Sequence, residues 1–91
     1  MNILNEVEEI LKSHSYEKVL EILNYKLETN KKVPYLYYQK AIVYFFRATY
    51  KTFDKKDLLL AQEEIDKGLL LNPDSLKEIK WLIDEINLKI L

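Results

Sequence analysis

The chain has 91 residues, 48% of them hydrophobic and 32% charged, with a net charge of −1; this is one domain with material for a modest core, not a disordered tail. No cysteine excludes disulfides, zinc–thiolate sites and thiol chemistry, and one glycine with two prolines leaves little turn material for a strand-rich fold. The longest unbroken apolar run, Ala41 to Phe46, is six residues, against the roughly 20 needed to span a bilayer.

Residues 3–12 place Ile3, Leu4, Val7, Ile10 and Leu11 on one side at helical spacing. Ser13-His14-Ser15 interrupts them, and Ser15 can cap the next helix by accepting a backbone N–H. That second helix, 16–29, presents Val19, Leu20, Ile22, Leu23 and Leu27. After the connector Asn30–Val33, Pro34 suits the first turn of a third helix, where its missing N–H is not needed. The third helix, 34–52, carries Tyr37, Tyr38, Ala41, Tyr44, Phe45 and Ala48 on one apolar face. Tyr35, Ile42, Val43, Phe46 and Tyr50 form a second, roughly opposite face, with Lys40, Arg47 and Lys51 as a narrow basic ridge between them. Such a helix is buried from two sides or has a partner, so it is expected at the centre of the domain. Asp54 and Asp57 suit the positive end of a fourth helix, 55–71. Asn72-Pro73-Asp74-Ser75 is the last break, with Ser75 and Glu78 reading as a capping box. The fifth helix, 75–90, has a core stripe of Leu76, Ile79, Ile83, Ile86 and Ile90; Trp81 and Leu88 lie opposite and form a contact site if exposed. Five short helices with brief connectors predict a single all-α domain over 1–91, built of antiparallel helical hairpins.

The charge is unevenly laid out. Residues 31–56 hold seven bases and Asp54, between flanks that are net acidic. Pairing between neighbouring helices explains this layout; an acidic protein or a nucleic acid is the other explanation. Catalysis finds no support. His14 is the only histidine, its flanking serines do not point at it, and no glycine-rich turn offers an oxyanion hole or a phosphate loop. The acidic residues sit on the polar faces of amphipathic helices, so no metal and no cofactor is expected.

Ala61, Ile65, Gly68 and Pro73 follow the cadence of a second helix in a tetratricopeptide repeat. Small Ala61 and Gly68 admit a close neighbour, Ile65 fills the gap between them, and Pro73 ends the helix. Tyr37, Ala41 and Tyr44 are similar to the first helix of that repeat, and Ser15–Leu23, with Val19 at the usual alanine position, to the second half of an earlier one. The chain thus resembles a tetratricopeptide-repeat (TPR-like) protein over about residues 3–73, with roughly eight extra residues between Tyr44 and Ala61 and a closing fifth helix. The resemblance implies stacked helical hairpins, a concave face lined by first helices, and non-catalytic binding of a protein or peptide. Carried over by position, that face includes Tyr35, Tyr38, Ile42 and Phe46, with Lys40, Arg47 and Lys51 drawing acids to the rim. Trp81 and Leu88 form a second contact surface, and a stack this short can self-associate through helix one or through that pair. A rival likeness is to the small helical immunity proteins that protect bacteria from their own bacteriocins. The lysines interleaved with tyrosines keep single-stranded nucleic acid as a further alternative. The acidic beginning, Met1-Asn-Ile-Leu-Asn-Glu, lacks the basic region of a secretory signal, so a cytoplasmic location is expected.

Overall fold

The computed structural model describes residues 3–91. Helix α1 spans Ile3–Leu11, α2 Tyr16–Thr29, α3 Pro34–Arg47, α4 Lys55–Leu71 and α5 Leu76–Ile90. A π-helical turn, Ala48–Thr52, continues α3, and a 3₁₀ turn, Pro73–Ser75, precedes α5. Among the described residues the fold is all-α, as the periodicity requires.

The start signals act locally, as their chemistry dictates. The Lys18 backbone N–H donates to Ser15 Oγ at 3.1 Å, and the Lys56 N–H to Asp54 Oδ1 at 2.9 Å. Pro34 opens α3, where no N–H is required. The expected Ser75–Glu78 capping box does not form. Ser75 instead donates its hydroxyl to the Asn72 carbonyl at 2.7 Å, which leaves its oxygen to accept from the Tyr38 hydroxyl. The long third helix also differs from expectation: its α-helical hydrogen bonding ends at Arg47, and five residues of wider turn lead to Phe53 in the left-handed region at φ 52°.

Each helix packs on the next in sequence. In addition α1 meets α3 and α3 meets α5, while the backbones of α2 and α4 stay apart. Helix α3 therefore touches all four others and is the centre of the domain. Ala41, Ile42 and Val43 are fully enclosed there, among Val7 of α1, Val19 and Leu23 of α2, Ala61 and Ile65 of α4, and Ile79, Leu82 and Ile86 of α5. Leu82 is absent from the expected stripe and Leu76 is exposed, so the enclosed face of α5 is Ile79, Leu82 and Ile86.

The tightest seam is α3 against α4. Ala61 and Gly68 are buried on it, with Ile65 between them. What fills the space beside Gly68 is the Tyr38 ring rather than a neighbouring backbone. A Cβ on Gly68 would stand 2.8 Å from Tyr38 Cζ, inside van der Waals contact. Tyr38 thus fits between α3 and α4 because residue 68 has no side chain, and its hydroxyl reaches Ser75 at the turn into α5.

Candidate functional site

Two of the three cations of the basic ridge are spent inside the molecule. Lys40 Nζ lies 3.1 Å from Glu64 Oε1 of α4, with both side chains buried. Arg47 grips Asp57 of α4 with two N–H bonds of 3.0 and 2.7 Å, the planar fork that suits a carboxylate. Lys51 reaches Glu17 of α2 at 2.7 Å. Lys40 and Arg47 are thus taken up by acids of α4, while Lys51 stays half exposed in a surface pair, so of the expected basic rim only Lys51 remains accessible. The Arg47 hydrogen bonds hold the Asp57 carboxyl below its ordinary range, helped by a 2.7 Å bond from the Thr52 hydroxyl. Asp57 in turn raises the Arg47 guanidinium. Lys51 likewise lowers Glu17.

The expected aromatic face divides in the same way. Ile42 has no accessible surface and Tyr38 almost none. Ile42 is enclosed at the middle of α3, where the other four helices pack on it, so it cannot meet a partner. Phe46 is half-buried, its ring 6.0 Å from Phe45 and 5.9 Å from Tyr50, and it lines no groove with Tyr35. Tyr35 remains, 39% exposed.

Tyr35 faces a groove of about 610 Å³ between α1, α3 and α5. Ile3 and Leu4 form one wall, Ile79 and Trp81 the other, and the edge of Tyr38 lies in the floor. Glu78 supplies a carboxylate at the lip. Trp81, expected on a separate surface, is thereby brought to the same place as Tyr35. Leu88, two turns further along α5, stays exposed outside the groove. A mostly apolar concavity of this size with a single carboxylate suits an apolar surface with a basic flank. Ile3, Leu4, Ile79 and Glu78 are the lining residues that sequence reasoning did not single out. The available signal was topological: in a stack of hairpins, the first, third and fifth helices share a side.

Among the described residues, no group of three or more histidine, cysteine or carboxylate side chains could hold a metal ion, and no helix is long and apolar enough to cross a membrane. No protein-family model, curated protein or solved structure matches the chain.

Proposed function

We propose that this chain is a small helical-repeat adaptor that binds an apolar or amphipathic segment of another protein, without catalysis, in the groove between α1, α3 and α5. The observation that carries the reading is the groove itself: an open apolar concavity with Tyr35 and Trp81 exposed on its walls. Exposed tyrosine and tryptophan beside a cleft are the side chains on which binding energy concentrates. The likeness to a tetratricopeptide stack is supported by the order of contacts, each helix on the next and odd helices on one another, and by the burial of Ala61, Ile65 and Gly68 on one seam. In such a stack the first helices of successive hairpins line the binding face, and here those are α1, α3 and α5. The partner segment lays its apolar side against Leu4, Tyr35 and Trp81, with room for one basic residue at Glu78. The nucleic-acid alternative loses two of its seven bases, because Lys40 and Arg47 are taken up by acids of α4.

Affinity capture from the native host tests the reading. The proteins retained by the parent chain should be lost with Tyr35→Glu or Trp81→Ala and kept with Leu70→Ala, a change on exposed surface outside the groove. Trp81 is the only tryptophan, so adding the captured partner should also shift the emission to the blue. Equal retention by all three variants, with no emission change, would remove the groove as the binding site.

A further inference from the structure

The gap between α2 and α4 is a second concavity, a trough of about 700 Å³. Its floor is Tyr44 and Arg47, and Leu60 stands on the α4 side. From α2 come Glu17, Glu21 and Glu28, together with Tyr25, which is 74% exposed. Arg47 brings little free charge, because Asp57 grips it in a fork. Glu21 holds only the exposed Lys18 at 3.3 Å, a pair of the kind that contributes little. Glu28 makes no ion pair among the described residues. The trough is acidic and partly aromatic.

Beside one end of it, past the Lys51–Glu17 bridge, stands a convex feature of opposite character. The π turn holds Tyr50 outward at 69% exposure, and Phe53 follows at 78%. A bulky residue with positive φ is strained, and here the strained conformation is braced. Thr52 donates to Asp57 at 2.7 Å, and its hydroxyl oxygen accepts the Asp54 N–H at 3.3 Å. The chain thus fixes a phenyl ring in water, and none of the grooves around it takes the ring up. Lys55 and Lys56 come next and make no ion pair among the described residues.

We propose that the occupant of the trough is a second copy of this chain. The Tyr50–Lys56 knob of one protomer seats in the α2–α4 trough of its partner, with Phe53 against Tyr25 and Tyr44, and Lys55 and Lys56 opposite Glu21 and Glu28. Shape and charge match on both counts: convex, basic and aromatic against concave, acidic and aromatic. The Lys51–Glu17 bridge joins the knob to one end of the trough, so two copies exchange them reciprocally about a two-fold axis, which closes the assembly at a dimer. The surface involved is distinct from the groove that takes the partner segment. The association is weak, because the interface is small, and salt-sensitive, because its charges are exposed.

Sedimentation equilibrium up to about 1 mM protein tests this. The parent should show a monomer–dimer equilibrium weakened at least about tenfold by raising the salt from ~0.05 to ~0.5 M. Phe53→Ser should weaken it similarly with an unchanged circular dichroism spectrum. Two charge variants make the decisive pair: Lys55→Glu/Lys56→Glu, whose knob and trough are both acidic, and Glu21→Lys/Glu28→Lys, in which both are basic. Each alone should stay monomeric, and an equimolar mixture should form a heterodimer at least as tight as the parent. A parent monomeric throughout the range overturns the proposal. So does a dimer that both charge variants retain and Trp81→Ala dissolves, or a monomeric parent whose trough binds a lysine-rich peptide.

Discussion

The two sides of α3 are built on different principles. Along the α3–α4 seam Ala41, Ala61 and Ile65 are enclosed, Gly68 clears space for the Tyr38 ring, and the charges between the helices are paired. Toward α1 and α5, the same helix leaves Tyr35 and the edge of Tyr38 facing an open groove. The contrast shows that an aromatic, lysine-bearing helix is not by itself a binding surface. What decides is which neighbours the stack supplies. A seam saturated with contacts provides stability, and an unsaturated one leaves aromatic side chains open to solvent.

Mutations should separate the two sides in order of size. The largest effect is expected at Lys40. Lys40→Met leaves Glu64 buried with only the exposed Lys67 at 3.3 Å and one carboxylate oxygen without a partner, and should cost about 3–5 kcal/mol in chemical denaturation. Lys40→Met with Glu64→Leu should recover most of that, because replacing both members of a buried pair by apolar groups is often close to neutral. Gly68→Ala should come next. The added methyl collides with Tyr38, costing about 1–3 kcal/mol, which outweighs the gain of roughly 1 kcal/mol in helix propensity. Stabilisation instead would mean that the ring moves aside freely and that the seam is not close-packed.

The acid response sharpens the same comparison. The folded-state pKa of Asp57 is lowered, first by the Arg47 hydrogen bonds. Its stabilising contribution is therefore fully present above the unfolded-state pKa, near the ordinary aspartate value, and is lost as pH falls through the lower folded value. Asp57→Asn should flatten the acid limb of the stability–pH curve below about pH 4 and leave its alkaline side unchanged in slope. The smallest effect belongs to the groove: Tyr35→Ala should change stability by less than about 1 kcal/mol while abolishing capture of the partner.

The five helices and most of their starts were legible because their signals are local: Ser15, Pro34 and Asp54 act within a turn of where they stand. The need for small residues at 61 and 68 was legible too, but not that the object admitted is the Tyr38 ring. Ser75 reads as a cap and works instead as an anchor for that ring, since its hydroxyl is drawn to Asn72 and Tyr38 across a tertiary contact. Uneven charge pointed to internal pairing, yet nothing in the spacing could say that Lys40 finds Glu64 or that Lys51 finds Glu17. The groove was half legible. Tyr35 and Trp81 stood out singly, but only the stack brings Leu4, Tyr35 and Trp81 together from three separate helices. The π turn and the outward Phe53 left no recognisable signal.

Amide chemical-shift mapping of the protein with its captured partner segment tests the division most directly. The account predicts shifts concentrated at Ile3, Leu4, Tyr35, Ile79 and Trp81, with Ala61, Ile65 and Gly68 unmoved. Shifts centred on the α3–α4 seam, with Tyr35 and Trp81 silent, would contradict it.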